Sequence, residues 1–256
     1  MTRSFDAEPR ALPRNRRRGF GGDTGVTHWI DLDSTPIPGA RETLHLRRWG
    51  EAFSIQVGTA ELMTDQDRGS EQALATIPCE RLADRPEPRI LIGGLGMGFT
   101  LRAALGVLGP RAEVVVAELV PGVIAWARGP LAHLHGTSLD DPRVSLVEAD
   151  VNRLIQSGPG RFDAILLDVD NGPRGMTRRS NDRLYDVWGL KRAHYALRPG
   201  GLLAVWSGSP DRRFKARLKR CGFAMEEIRF PAHPGGRRHV LWIGTREEKG
   251  AAASTV

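Results

Sequence analysis

Cysteine is nearly absent from this sequence: Cys79 and Cys221 are the only two in 256 residues. Two thiols so far apart make no disulfide framework, and their spacing fits no metal motif. They read as reduced core thiols. No apolar run reaches the roughly 20 residues that a membrane span needs. The opening Met1-Thr2-Arg3-Ser4-Phe5 has no signal-peptide core. A cytoplasmic protein is expected. There is no internal repeat and no G-x-x-x-x-G-K phosphate loop. His133 and His135 form the only close histidine pair. A third ligand is not near them in sequence, so no metal site is expected.

Acidic residues are outnumbered, and the formal net charge is +7. The excess is uneven. Arg3, Arg10, Arg14, Arg16, Arg17 and Arg18 face only Asp6 and Glu8 in the first 20 residues. Residues 1–26 read as a basic, disordered tail. Its contact with nucleic acid is expected to be weak, and no aromatic–basic interleaving along the sequence marks a dedicated nucleic-acid face. Residues 247–256 read as a frayed C-terminal tail.

Between the tails, 27–69 reads as a small β element with strands at Thr27–Asp33, Thr43–Trp49 and Ala52–Val57. A helix follows at Ser70–Leu82, with Ser70 as its N-cap. From Arg89 onward, strands and helices alternate. The strands are Ile90–Gly93, Val114–Glu118, Val144–Val147, Ala164–Asp168, Leu202–Trp206, Met225–Ile228 and Val240–Thr245. The helices are Thr100–Leu108, Pro121–Arg128, Asn152–Gln156, Asp182–Ala196 and Arg212–Cys221. Runs such as Ile165-Leu166-Leu167 lack polar alternation, which marks strands buried on both faces. The fold class is therefore α/β, with a seven-stranded, mostly parallel, doubly wound, Rossmann-like sheet over 70–246.

Ligands of such sheets bind beyond the carboxyl ends of the strands. The first strand leads into Gly94-x-Gly96-x-Gly98. Glycine there lets a ligand approach the backbone, and the next helix offers free N–H groups to an anionic group. Glu118 ends the second strand, where an acid can accept both ribose hydroxyls of a nucleoside. Asp150, after the third, can accept from an exocyclic adenine amine. Asp168 and Asp170 follow the fourth, where carboxylates can orient a cationic acceptor or take its proton. Among the tryptophans, Trp29, Trp49 and Trp188 are candidates for an acceptor pocket, with core packing as the alternative. Arg174, Arg178 and Arg179 fall in an expected loop.

Several runs carry a resemblance. They are Ile90–Arg102, Ala117-Glu118-Leu119-Val120-Pro121, Asp140-Asp141-Pro142-Arg143-Val144, Phe162–Asp168 and Leu197-Arg198-Pro199-Gly200-Gly201. With them the chain resembles the spermidine synthase family, the polyamine aminopropyltransferases, within the class I methyltransferase-like fold. The resemblance implies that Glu118 binds ribose, Asp150 contacts adenine and Asp168 prepares the attacking amine. It also implies decarboxylated S-adenosylmethionine as donor, a small amine as acceptor, no metal, and a homodimer. Two departures stand out: Met97 replaces the Asp of the family's glycine loop, and Asn171 replaces its second Asp. Aminopropyl transfer is thus the first expectation. Methyl transfer from S-adenosylmethionine is the alternative, and non-catalytic nucleotide binding a second.

Overall fold

The structure is a computed structural model, and it describes residues 28–66, 69–169, 182–231 and 238–247. The basic segment, most of the C-terminal tail and the arginine loop lie outside the described residues.

Four antiparallel strands form a first sheet in sequence order: β1 (Ile30–Pro36), β2 (Thr43–Trp49), β3 (Ala52–Val57) and β4 (Ala60–Thr64). Three were expected. The first is displaced by three residues, because pairing with β2 sets its register from Ile30↔Arg48 to Pro36↔Thr43. β4 was missed; it is short, and Gly58 at φ 56° turns the chain into it. The helix α1 (Gly69–Glu80) follows. Ser70 lies inside it, and its hydroxyl pairs with His239 Nδ1 at 3.0 Å instead of capping.

The remaining elements are β5 (Arg89–Gly93), α2 (Phe99–Val107), β6 (Glu113–Glu118), α3 (Pro121–Arg128), α4 (Ala132–His135), β7 (Val144–Glu148), α5 (Val151–Ile155) and β8 (Phe162–Leu167). After them come α6 (Asp182–Tyr185), α7 (Val187–Ala196), β9 (Leu197–Ser207), α8 (Arg212–Arg220), β10 (Phe223–Pro231) and β11 (Arg238–Arg246). The long helix expected at 182–196 is broken. Asp186 leaves the helix and accepts the Gly189 N–H at 2.7 Å, which starts α7 afresh.

The second sheet has seven strands in the order β10-β11-β9-β8-β5-β6-β7. β5 through β9 pair in parallel; β11 and β10 are antiparallel. Every residue of β8 is buried, as the unbroken apolar run requires. α1, α2 and α3 share one core cluster, while α5, α7 and α8 cover the other face. Leu46 and Ile55 of the first sheet belong to the same cluster as Ile90 and Ile92, so the two sheets pack on one core.

Asp163 lies fully buried near the amino end of β8, away from the strand ends of interest. Its carboxylate accepts from the Arg89 N–H at 2.7 Å, from Arg198 at 2.7 Å and from Arg85. This ties β5, β8, β9 and the chain after α1 into one knot. Asp163→Ala strands the Arg89 N–H and two guanidinium groups. Its expected cost is about 3 kcal/mol, read as a lower urea midpoint at an unchanged m-value.

Candidate nucleotide site

β5, β6 and β8 end side by side. Gly93 pairs with Ala117 on one flank and Leu167 on the other. This is the switch point of the sheet: the chain runs outward through β6 and β7, then returns to β8 on the far side of β5. The loops after Gly93, Glu118 and Leu167 therefore meet around one cavity. Its floor includes Gly94, Gly96, Glu118, Asp150 and Asp168. Ile37, Leu44, Ile55, Leu62 and Met63 of the first sheet and its loop form an apolar lid. Leu119, Val120, Val123, Trp206 and Glu71 complete the walls.

Glu118 is 6% exposed. One carboxylate oxygen accepts the Leu95 N–H at 2.8 Å and the other the Val120 N–H at 2.8 Å. Burial raises its pKa, and the backbone N–H groups around it pull the other way. Each carboxylate oxygen has two lone pairs, so a hydroxyl of a ligand can still be accepted. Asp150 caps α5, taking the Asn152 N–H at 2.9 Å, and also lines the cavity. Capping α5 thus leaves the Asp150 carboxylate in the cavity wall.

Asp168 accepts the Thr100 hydroxyl at 2.9 Å. Burial pushes its carboxyl up to about 6, while the Thr100 hydrogen bond opposes that shift. Asp170 lies outside the described residues, so it stands as an expectation from sequence.

The glycine turn differs from its sequence reading. Gly94 and Gly96 line the cavity and Gly98 does not. At Gly94 (φ 93°) a Cβ would lie 2.5 Å from the Asp168 carbonyl oxygen. At Gly96 (φ 50°) it would meet the Met63 thioether, at 2.8 Å from Sδ. At Gly98 (φ 79°) it would strike the His135 ring. Positive φ favours glycine at all three, and packing adds to it against the Asp168 backbone at Gly94 and the His135 ring at Gly98. Met97 is fully buried in the core, and its N–H donates to Met63 Sδ at 3.1 Å. The position that the resemblance assigns to an Asp offers the cavity no carboxylate.

Other readings also change. His135 is buried behind Gly98, with its pKa lowered to about 4 by burial and by Arg102. His133 is exposed and lies tilted against Phe53, with ring centroids 5.2 Å apart. Trp29 and Trp49 meet edge to face at 5.9 Å, and Trp188 is 69% exposed. The cavity's tryptophan is Trp206, the last residue of an expected strand, and it was not singled out. Glu71, Met63 and Thr100 were also missed. Glu71 and Met63 sit on elements distant in sequence from the strand-end motifs, whereas Thr100 follows the glycine turn directly; no local pattern marks any of the three.

No protein-family model matches the sequence. A polyamine aminopropyltransferase of Korarchaeum cryptofilum is 32% identical over 182 residues, covering 71% of this chain and 54% of the relative. Polyamine aminopropyltransferase 2 of Pseudomonas aeruginosa is 31% identical over 145 residues, 55% of this chain and 39% of the relative. The chain thus spans about half or less of these relatives. Among solved structures, spermidine synthase in complex with the transition-state analogue AdoDATO superposes with a TM-score of 0.67 at 19% identity. That match covers 86% of this chain and 73% of the other. A Burkholderia thailandensis N1-methyltransferase with bound S-adenosylhomocysteine superposes at 0.51 and 22% identity, covering 71% of this chain and 80% of the other. The chain therefore has the class I methyltransferase-like fold found in spermidine synthases, and it is a sequence relative of the polyamine aminopropyltransferases.

Proposed function

We propose that the chain is an alkyl-group transferase that moves an aminopropyl group from decarboxylated S-adenosylmethionine to a small amine. The observation that carries this reading is Asp168. It is a carboxylate with an elevated pKa, set in one cavity with the two acids suited to a nucleoside. The proposal joins that geometry to what the relatives' names say they do.

In this reading Glu118 receives the ribose hydroxyls and Asp150 the adenine amine. The apolar lid covers the nucleoside and keeps water from the reacting centre. The donor's sulfonium supplies the leaving group, so the protein has two tasks: alignment and removal of a proton. The amine nitrogen attacks the methylene beside sulfur. The N–C bond forms as the C–S bond breaks, and sulfur keeps the electron pair as a neutral thioether. The surplus proton on nitrogen passes to the Asp168 carboxylate. A carboxyl near 6 is a stronger proton acceptor than an ordinary aspartate and is still ionised at neutral pH.

Asp168→Asn should lower kcat by about 100-fold or more while nucleotide affinity, measured by calorimetry, is unchanged. Protein that forms no new polyamine from any diamine would overturn the reading. The acid limb of the pH–rate profile should fall near pH 6, because Asp168 must be ionised. Thr100→Val removes the hydrogen bond that favours the anion. Its limb should therefore move to higher pH, with nucleotide affinity retained.

Methyl transfer is the second reading, favoured by the buried Met97 where the resemblance assigns an acid. The two donors differ by one carboxylate. Titration with each should give the tighter Kd for decarboxylated S-adenosylmethionine if aminopropyl transfer is correct, and the reverse for methyl transfer.

A further inference from the structure

On the sheet face covered by α7 and α8, the structure assembles a surface that the sequence hides. Four α7 side chains are exposed: Trp188, Lys191, Arg192 and Tyr195. Their spacing is i, i+3, i+4 and i+7, a single stripe along one side of a helix. Trp188 and Tyr195 are 69% and 59% exposed, above every other large apolar side chain described. Lys191 Nζ stands 5.6 Å from the centre of the Trp188 ring. The stripe ends are roughly 10 Å apart at 1.5 Å rise per residue.

α8 packs beside α7 in the same core cluster, through Phe214 and Leu218. Its exposed side adds Arg212, Arg213, Lys219 and Arg220. Neither helix contains an acidic residue. Among the described acids near them, Asp186 and Asp211 cap the two helices, and Glu227 holds Lys215 and Arg229. None of these residues lines the nucleotide cavity.

We propose that the α7–α8 face binds single-stranded nucleic acid. Cations that track a phosphate backbone, interleaved with exposed rings on which bases stack, are the chemistry of such surfaces. Charge complementarity selects a polyanion, and the two rings select one that carries flat aromatic bases. A membrane fits less well, because the apolar side of α8 is already spent in the core, with Phe214 and Leu218 fully buried.

The test uses the full chain and a labelled oligothymidylate of about 20 nucleotides, followed by fluorescence anisotropy across a salt series. Trp188→Ala should weaken binding about tenfold and leave the salt slope unchanged, since it removes stacking alone. The Lys191→Glu and Arg192→Glu double variant should lower the slope by about 1.4, two phosphate contacts' worth for a single strand. Both variants change exposed side chains, and an unchanged calorimetric affinity for the donor nucleotide verifies their fold. No oligonucleotide binding at low salt overturns the proposal. So does indifference to Trp188→Ala, or equal binding of polyglutamate or phosphatidylserine vesicles. Binding that is lost only when Arg14, Arg16, Arg17 and Arg18 are replaced by serine would assign it to the N-terminal segment and overturn it equally.

Discussion

The two loops that shape the cavity at the strand ends are held by one buried carboxylate. Glu118 stands at the end of β6 and accepts an N–H from the glycine turn and another from the start of α3. A carboxylate withdrawn from water is costly unless its oxygens are matched by donors. Here the donors are main-chain groups that would otherwise be left unpaired at the ends of parallel strands. The same contacts therefore satisfy the acid and fix the loops. A ligand hydroxyl meets a carboxylate that is already oriented.

Around this acid the cavity is divided by polarity. Its floor of acids comes from the parallel sheet, and its lid of apolar side chains comes from the antiparallel sheet and its β1–β2 loop. Burial at the strand ends raises the Asp168 carboxyl, and the Thr100 hydroxyl opposes that shift. The lid reaches the floor closely because glycines admit it. Met63 lies against Gly96, and β1 lies against Gly122 of α3 through Thr35. Asp33 of β1 adds a hydrogen bond from the Trp126 indole at 2.7 Å.

The far side of the sheet obeys different rules. There α7 and α8 bury one apolar side each and turn the other, which carries cations and no acid of its own, to solvent. A pattern of exposed rings at helical spacing is invisible until the buried side of the helix is known. Trp188 could have been a core residue on composition alone, since tryptophan is more often buried than not.

Much of the architecture was legible because it depends on local rules. Unbroken apolar runs give buried parallel strands, Pro121 starts α3 at the expected residue, and acids at strand ends mark Glu118, Asp150 and Asp168. These follow from hydrophobic periodicity and from the direction in which a parallel sheet presents its strand ends. Contacts between distant segments were not legible. The sequence could not say that Thr100 would meet Asp168, that Glu71 and Met63 would join the cavity, or that Gly94 yields to the Asp168 carbonyl. Each depends on how elements tens of residues apart are brought within a few ångströms. Only tertiary packing decides that, because it is packing, and not local preference, that sets which side of each element is buried.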